Sequence, residues 1–386
     1  MLKLFIIPFL FICFSFSKVF AYPHYIGHGY NSCITCHANP MGNGPLNDYG
    51  RAFGATAVAS RAFENVHKPE EKLGEESGFF FQKYDQSFFR PFIGYRGMLL
   101  KRNFGKPNEE TEYINMQLDA SAQFKYGDKD QWIASYTFGY TPIPRSLKNT
   151  PQAKTMDEYK SREHYVGYRM ANWGVYMGLL DKPFGIRIVE HSAYSRTTPL
   201  LNMNDQSHGV MAHLNTEWFE LGVNSFVGNL SQEKSLRQVG ASTMMEFNAG
   251  ENFRPGFSLL TSENDFLKMN AKAVHLRTSM GKGHSLMTEW GVTNKESKAA
   301  KTNRRELYGF LQGHLRADRG LYVLNSLEYY KKTSEKNYKV RFGPSVQYFP
   351  MNRVELRADL YNTRTFSTEK STPDTWDFLG QVHLWF

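Results

Sequence analysis

The segment "INMQLDASAQFKY", residues 114–126, alternates apolar and polar residues without a break. Apolar side chains occupy every second position, at Ile114, Met116, Leu118, Ala120, Ala122, Phe124 and Tyr126. Polar side chains occupy the positions between them, at Asn115, Gln117, Asp119, Ser121, Gln123 and Lys125. Because successive side chains of a β-strand point to opposite faces, the segment predicts a strand with one apolar face and one polar face.

The same period of two continues through the rest of the chain, in about sixteen segments. They lie near residues 88–101, 111–126, 130–142, 161–171, 173–181, 206–215, 217–229, 234–247, 251–262, 267–280, 284–294, 304–316, 320–332, 336–348, 352–365 and 375–386. Short turns alternate with longer polar connections, of which residues 181–205 form the longest. This arrangement is typical of outer-membrane barrels. A soluble sandwich or propeller also alternates, but one apolar face per strand without strong core clusters favours lipid outside and water inside.

The sequence therefore predicts an all-β fold, a transmembrane antiparallel β-barrel of about 16 strands over residues 79–386. Lipid satisfies no backbone hydrogen bonds, so the sheet must close on itself. The chain ends on an alternating aromatic strand whose last residue is Phe386. Such an ending resembles the C-terminal signal that the barrel assembly machinery of bacteria reads, so we expect that machinery and outer-membrane lipid as partners.

The first residues predict export. Residues 1–21 have a lysine near the start, then an apolar run and a small-residue cleavage site, as in a secretory signal peptide. The apolar run is shorter than a spanning helix needs. Residues 22–78 differ from the barrel: they are rich in glycine, and residues 46–67 have helical spacing with Asn47 or Asp48 as the cap. The charged, turn-rich residues 68–78 indicate a linker.

Composition excludes several classes of protein. The net charge is +9 with 22% charged residues and no concentrated lysine or arginine tract, so no nucleic-acid partner is expected. The chain has three cysteines, and Cys13 would leave with the signal peptide. The remaining two, Cys33 and Cys36, are too few for a secreted disulfide scaffold.

The motif Cys33-Ile34-Thr35-Cys36-His37 is the attachment pattern of a c-type haem. In such a site Cys33 and Cys36 form thioethers with one haem c, and His37 is an axial ligand of the iron. Three alternatives share the spacing: a disulfide oxidoreductase, a plain structural disulfide, and a zinc site that needs four ligands. The fourth zinc ligand would be His24 or His28.

The sixth ligand of such an iron is left open by the sequence. His28 and His67 are the main candidates, and His24 and Met41 lie nearby. Met41 follows His37 so closely that it is not expected to cross to the other face of the macrocycle. The identity of this ligand matters because axial ligands set the reduction potential.

Two short stretches resemble a known group of proteins. "ANPMGNGPLNDYGRAFG", residues 38–54, resembles the haem segment at the start of some Gram-negative outer-membrane barrel proteins of cytochrome c or porin-like type. "DKPFGIRIVEHSAYSR", residues 181–196, resembles a loop in such proteins. The resemblance implies an electron-transfer role loosely related to porin–cytochrome conduits. Those conduits usually hold a separate multihaem protein inside the barrel, whereas this chain has a single haem motif.

We expect a redox electron carrier rather than a turnover enzyme, located in the outer membrane with its haem segment at the periplasmic mouth. One haem cannot bridge a hydrocarbon core about 30 Å thick, so a periplasmic redox partner, another cytochrome, is expected. The alternative is a passive porin for small solutes in which the haem segment is a plug, sensor or cap. A haem enzyme such as a peroxidase is a third reading and would need an open sixth position. The longest loop, residues 181–205, is either exposed or folded into the lumen.

Lumen-facing positions of the predicted strands carry both signs of charge. They include Arg96, Arg169, Arg277, Arg341, Arg353, Arg357, Asp119, Glu355 and Asp359. This mixture predicts no strong ion preference.

Overall fold

A computed structural model describes most of the chain after the predicted signal peptide. The described residues are 23–28, 30, 32–42, 44–63, 68–83, 88–142, 158–190, 192–202, 205–250, 252–367 and 374–386. The predicted signal peptide, residues 1–21, lies outside them. Among the described residues, no helix is both long enough and apolar enough to cross a membrane.

Sixteen antiparallel strands form one closed barrel in which each strand pairs with its sequence neighbours and β1 pairs with β16. The prediction of an all-β barrel of about 16 strands is confirmed. The strands are β1 Phe89–Arg102, β2 Glu110–Tyr126, β3 Trp132–Tyr140, β4 Tyr159–Arg169, β5 Trp173–Leu180, β6 Ser207–Asn215, β7 Phe219–Phe226, β8 Val239–Phe247, β9 Phe253–Glu263, β10 Leu267–Gly281, β11 His284–Ser297, β12 Thr302–Asp318, β13 Leu321–Lys332, β14 Tyr338–Met351, β15 Val354–Phe366 and β16 Thr375–Trp385.

The alternation in β2 separates the outer surface of the barrel from its lumen. Leu118 and Phe124 face outward and are 49% and 41% exposed, whereas Asp119 and Gln123 face inward and are buried. The same pattern runs around the barrel, so the outer surface is apolar and the lumen is polar. This is the distribution that a lipid exterior requires.

The alternation in β2 is interrupted at Met116, although the sequence pattern predicted no interruption there. The register against β1 shifts between Arg96 and Gly97, so Met116 has no partner of its own. This β-bulge turns Met116 inward, where it is buried, while Tyr113 and Asn115 face outward. Met116 was predicted to share the outer face with Leu118, and that assignment is wrong because one extra residue reverses the parity of the strand.

Exposed aromatic side chains lie at both ends of the barrel wall. Near the short turns they are Tyr126, Trp132, Trp173, Trp218, Phe247 and Phe253, and near the long loops they include Phe104, Tyr113 and Tyr159. Aromatic girdles of this kind mark the two membrane–water interfaces of a transmembrane barrel.

The N-terminal segment contains short helical pieces. They are α1 Pro23–Ile26, a 3₁₀ turn Cys33–Thr35, α2 Asp48–Phe53 followed by a π turn Gly54–Val58, α3 Glu70–Glu75, and a 3₁₀ turn Phe79–Phe81. A further helix, α4 Tyr194–Thr197, lies in the long loop after β5, and a 3₁₀ turn Lys234–Leu236 precedes β8.

The helix predicted over residues 46–67 is shorter in the structure. It begins after Asn47, whose side chain accepts a hydrogen bond from the Gly50 amide, as predicted for the cap. It ends at Ala59, where the backbone becomes extended. The reason is tertiary: the next amide, Ser60 N, donates 2.8 Å to Phe349 O of the barrel. The predicted linker, residues 68–78, contains α3, which is anchored by the buried Leu73.

The barrel closes at its chain ends. The amide and carbonyl of Phe386 pair with Ile93 at 2.8 and 3.0 Å. The ring of Phe386 stacks on Phe80, with centroids 5.1 Å apart. The last residue of the chain therefore joins β1 to the segment that precedes the barrel.

Candidate functional site

The N-terminal segment lies inside the barrel. We call its described residues within 23–63 the plug. Ser32 Oγ donates 2.9 Å to Glu220 Oε1 on β7, and Asn39 Nδ2 donates 2.8 Å to Glu163 Oε2 on β4. All four of these residues are buried. Two strands of the wall, β4 and β7, therefore hold the plug through hydrogen bonds to inward carboxylates.

The plug occupies the end of the lumen where the short turns lie. Gly283 N, in the turn between β10 and β11, donates 2.7 Å to Gly27 O. Arg319, in the turn between β12 and β13, donates 2.8 Å from Nε to Ala59 O. The haem motif was predicted at the mouth of this end. Ser32, beside the motif, is bonded to Glu220, the second residue of β7 after a short turn.

Ion pairs tie α2 to the wall beside the same end. Asp48 pairs with Arg90 on β1 at 3.0 Å and with Lys125 on β2 at 3.1 Å. Burial of Asp48 opposes its ionisation, but the hydrogen bonds and charges of Arg90 and Lys125 outweigh burial and hold the pKa of Asp48 below its usual value.

The haem-attachment motif forms one compact turn. Cys33 O accepts from Cys36 N at 3.2 Å and from His37 N at 2.9 Å. Asn47 fastens this turn to α2: its Nδ2 donates 3.0 Å to Thr35 O, and its backbone N donates 2.8 Å to Cys36 O. The same residue caps α2, so one side chain positions both the motif and the helix that follows it.

Gly50 allows this close approach. A Cβ atom at this position would lie 2.9 Å from both Cα and Cβ of Cys36, and closer still to the Cys36 carbonyl oxygen. Real Cβ atoms essentially never approach other atoms more closely than 3.0 Å. Glycine is therefore required where α2 packs on the motif.

A cavity inside the lumen is lined by Cys33, Cys36 and His37 together. Its volume is about 280 Å³, near the lower end of the ~300–1,000 Å³ of ordinary small-molecule pockets, and it opens to solvent. The three predicted site residues therefore share the wall of one open space.

Neither cysteine forms a disulfide in the structure, and both belong to the cavity wall. Burial raises the pKa of the Cys33 thiol to about 11 and that of Cys36 to about 12. Both side chains are therefore neutral thiols at neutral pH. Within the described parts of the chain, no group of three or more His, Cys, Asp or Glu side chains is arranged to hold a metal ion.

One ring nitrogen of His37, Nδ1, is buried and lacks a hydrogen-bond partner among the described residues. Burial lowers the pKa of His37 to about 4, against a hydrogen bond with the Gly44 backbone, so the ring is neutral at neutral pH. Neutral imidazole is the form that ligates metals. Two thiols and one neutral imidazole at the wall of one cavity are the donors that haem attachment requires.

The cavity is also rich in arginine. Six arginines line it against three carboxylates. The arginines are Arg96, Arg162, Arg187, Arg196, Arg277 and Arg353, and the carboxylates are Asp119, Glu163 and Glu355. This excess of positive charge suits a bound group that carries carboxylates, because guanidinium pairs with carboxylate in a two-pronged geometry.

The candidates for the sixth ligand are placed differently. His28 does not line the cavity. Its ring packs edge-on against Phe53, 5.6 Å between centroids, and burial with the charge of Arg316 lowers its pKa to about 4. Met41 does line the cavity and is buried. His67 and the side chain of His24 lie outside the described residues.

The long loop after β5 folds into the lumen rather than lying exposed. Phe184 and Ile186 are buried. Gly185 N donates 2.9 Å to Ser258 Oγ on β9, and Ile186 N donates 2.6 Å to Glu289 Oε2 on β11. The loop thus crosses the lumen above the plug, as a constriction loop would.

A second cavity lies on the far side of this loop. It is lined by Met98 and Met116, by Arg341 and Arg357, and by Glu190 of the loop itself. Four residues line both cavities and form the boundary between them: Arg96, Val189, Glu355 and His383.

Sequence reasoning missed a cluster of charges below the motif. Glu246 on β8 forms ion pairs with Arg277 and with Arg254, the latter at 3.6 Å, and His275 Nε2 lies 3.0 Å from its Oε1. All are buried. The signal was available, since each of these residues occupies the inward parity of its strand and β8, β9 and β10 are neighbours in the sheet. The register that brings the charges together is not given by the alternation alone.

Solved structures share this fold. Outer-membrane-expressed OmpT of Vibrio cholerae aligns with a TM-score of 0.61 and 8% identity, covering 79% of this chain and 99% of that one. An anion-selective porin from Comamonas acidovorans gives 0.57 and 7%, covering 77% and 99%. The outer membrane channel DcaP of Acinetobacter baumannii gives 0.56 and 10%, covering 80% and 99%. At these identities the likeness shows the fold, a porin-type barrel.

No protein-family model and no curated protein matches the chain.

Proposed function

We propose that this protein is an outer-membrane barrel that holds one covalently attached haem c inside its lumen and takes part in electron transfer there. One observation carries the proposal: Cys33, Cys36 and His37 line a single cavity within the barrel. A signal-peptide-like start and the absence of further cysteines in the mature chain also support it.

The residues of the plug have distinct roles in this proposal. Cys33 and Cys36 would provide the sulfur atoms that hold the haem covalently, and His37 would provide a nitrogen ligand for its iron. Asn47 holds the turn on which all three stand. The arginines of the cavity wall neutralise bound carboxylates. A haem held there would supply a reversible one-electron iron couple whose potential depends on the axial ligands and on burial.

The membrane location rests on the outer surface of the barrel. Large apolar side chains stand exposed around it, for example Val274 at 60%, Trp290 at 54% and Leu327 at 47%. In water such a belt would be a liability, whereas in lipid it is the required surface. The short turns of barrels of this type are periplasmic, and this supports a periplasmic position for the plug as part of the proposal.

A redox partner is part of the proposal. The plug lies within the wall of strands, so a cytochrome docked at the short-turn end approaches it from the periplasm. The second cavity lies beyond the loop, on the side of the long connections. Electrons therefore enter or leave through two separate faces of the lumen.

A passive porin is the second candidate, and the likeness to porin folds favours it. In that reading the plug is a cap or sensor and the inward loop narrows a solute path. The plug and loop side chains that fill the lumen are the same in both readings, so only a functional measurement separates them.

The first experiment is expression in a host that attaches c-type haem, followed by purification from outer membranes. A pyridine haemochrome assay then counts covalent haem per chain. We expect one haem in the parent and none in the Cys33→Ser/Cys36→Ser variant. A parent chain without covalent haem would overturn the proposal.

The second experiment uses liposomes that contain the barrel and a trapped electron-accepting dye. The external reductant is a reduced soluble cytochrome, too large to pass through the lumen. Electron transfer predicts dye reduction with the parent and none with the cysteine-free variant. Equal solute conductance in both chains without dye reduction would instead establish the passive porin.

A further inference from the structure

His383 stands on β16 with its side chain in the wall of the same cavity as Cys33, Cys36 and His37. Across the strand ladder it faces Arg96 of β1 on one side and Glu355 of β15 on the other. Among the described residues that line this cavity, His37 and His383 are the two histidines.

The ring of His383 is held in one orientation. Its Nδ1 lies 3.1 Å from Glu355 Oε2, and Gln347 Nε2 donates 2.6 Å to the other oxygen of that carboxylate. The ring also packs 4.8 Å from Trp385, measured between centroids. An Nδ1–H that donates to Glu355 fixes the tautomer and leaves the lone pair on Nε2.

This arrangement is the usual surroundings of a metal-ligating histidine. Such a histidine donates its second ring nitrogen to a carboxylate, which orients the ring and makes the ligating nitrogen more basic. The carboxylate is itself hydrogen-bonded, as Glu355 is by Gln347. Arg96 Nη2, which can only donate, lies 3.3 Å from the same Nδ1, so it competes with the shorter 3.1 Å contact to Glu355 that calls for an Nδ1–H.

We propose that His383 of the barrel wall is the sixth ligand of the haem iron, opposite His37 of the plug. The inference rests on the proposed haem site. The proposed ligand lies 346 positions beyond His37 in the chain. The barrel and plug would then be joined through the iron, so that the haem site is complete only when the plug is seated.

The other candidate ligands of the iron are less well positioned or oriented than His383. His28 lies outside the cavity lining, against Phe53. Met41, Met287 and Met351 line the cavity, and any of them could approach the iron. A thioether has no hydrogen-bonded second atom to fix its orientation, whereas His383 has the Glu355 carboxylate.

The position of His383 has a consequence for access. It also lines the second cavity, beyond the inward loop. A small ligand diffusing from that side meets the iron at the position that His383 would occupy. Removing the imidazole should therefore create a binding position that exogenous imidazole can fill.

The test uses the full chain with haem attached and compares the parent with His383→Gln, His383→Gly and His314→Gln. Glutamine can still donate to Glu355 but is a poor iron ligand. His314 is a buried lumen histidine on β12 outside the cavity lining and serves as the matched control. Spin state is read from ferric visible and electron paramagnetic resonance spectra, and haem content from the pyridine haemochrome.

We expect a low-spin ferric haem with two nitrogen ligands in the parent and in His314→Gln. His383→Gln should retain covalent haem but become high-spin, and His383→Gly should return to low-spin on addition of imidazole. His383→Met should stay low-spin with a higher reduction potential, as methionine ligation raises it.

Two outcomes overturn the inference alone: a high-spin parent haem, or a low-spin haem that persists unchanged in both His383→Gln and His383→Gly. Persistence in those variants with loss in His28→Gln or Met41→Leu would assign the ligand to the plug instead. A parent without covalent haem overturns the proposed function together with this inference, so the two failures are distinguishable.

Discussion

Replacing Gly50 by alanine should loosen the haem-attachment turn from α2. The added Cβ would lie 2.9 Å from Cα and Cβ of Cys36, so the two pieces must separate by several tenths of an ångström. The separation also stretches the 2.8 Å hydrogen bond from Asn47 N to Cys36 O. The net effect on the free energy of seating the turn is the sum of three contributions.

Overpacking of a close contact costs about 1–3 kcal/mol. Weakening the Asn47 hydrogen bond adds about 1 kcal/mol. Alanine in place of glycine stabilises a helix by about 1 kcal/mol, which offsets part of this cost. The net cost to seating of the turn is therefore about 1–3 kcal/mol, which corresponds to roughly a 5- to 150-fold larger population of the loosened state.

The assay measures the labelling rate of Cys36 by a thiol reagent in a chain made without haem. Cys13 and Cys33 are replaced by serine, so Cys36 is the remaining cysteine of the three in the sequence. Cys36 is 5% exposed, and reagent therefore reaches it mainly when the turn opens. The labelling rate should rise in Gly50→Ala by the same factor, roughly 5- to 150-fold.

Gly74→Ala is the matched control, because it also adds a methyl group to a helix. Its Cβ would lie 3.7 Å from Ala52 Cβ and Thr56 Cγ2, an ordinary contact distance. Its labelling rate should equal that of the parent or fall below it. Equal rates in Gly50→Ala and the parent, or equal increases in both variants, would refute the proposed packing of the motif on α2.

Three further predictions concern the lumen. In Asp48→Asn the plug should open more readily than in the parent at neutral pH. Because the pKa of Asp48 is lowered, its stabilising contribution is present above the usual aspartate value of about 4 and is lost as the pH falls through the lowered pKa. The ratio of the Cys36 labelling rate in the variant to that in the parent, measured with a pyridyl disulfide, should therefore approach one in acid. In Glu289→Ala the buried Ile186 amide loses its acceptor, at a cost of about 1–3 kcal/mol, and single-channel conductance in planar bilayers should rise as the loop is released. In Glu246→Ala the buried Arg277 loses its ion-pair partner, and the thermal midpoint of the barrel should fall by the equivalent of about 3–5 kcal/mol.

Matched variants separate these effects from general damage. Glu289→Gln retains an acceptor for the loop amide and should leave conductance near the parent value. Glu263→Ala removes an ion pair with Lys298 in which the glutamate side chain is 53% exposed, and should change stability by less than about 1 kcal/mol. Thermal loss in Glu263→Ala equal to that in Glu246→Ala would contradict the importance of burial.

The barrel could be predicted from the sequence because the pattern that specifies each strand lies within that strand. Alternation with period two identifies each strand and both of its faces, and neighbouring strands in sequence are neighbours in space. The outward parity of Leu118 and the inward parity of Asp119 follow from this alone. The bulge at Met116 could not be predicted, since its cause is a register shift against β1 and not a feature of β2.

The haem-attachment motif could also be recognised from a short stretch of sequence, but the residues that surround it in the structure could not. Cys33, Cys36 and His37 are identified by spacing, whereas the carboxylates that hold the plug belong to strands more than 120 positions away, as in the pair Asn39–Glu163. Glu355 was predicted to face the lumen, yet nothing in the sequence places it and His383 beside the cavity of the motif. Closure of the barrel creates that proximity.

The location of the plug changes the main physical difficulty of the electron-transfer hypothesis. A haem at the periplasmic mouth would leave nearly the whole hydrocarbon core, about 30 Å, between it and the far side. A haem in the cavity of Cys33 and His37 would lie in the lumen, and the wall residue His383 also borders the second cavity beyond the loop. The remaining barrier on that side is then the inward loop and the boundary residues rather than the full bilayer. A periplasmic cytochrome at one end and a reactant small enough to enter the second cavity at the other could share one haem, so a single motif would suffice where porin–cytochrome conduits use a multihaem chain.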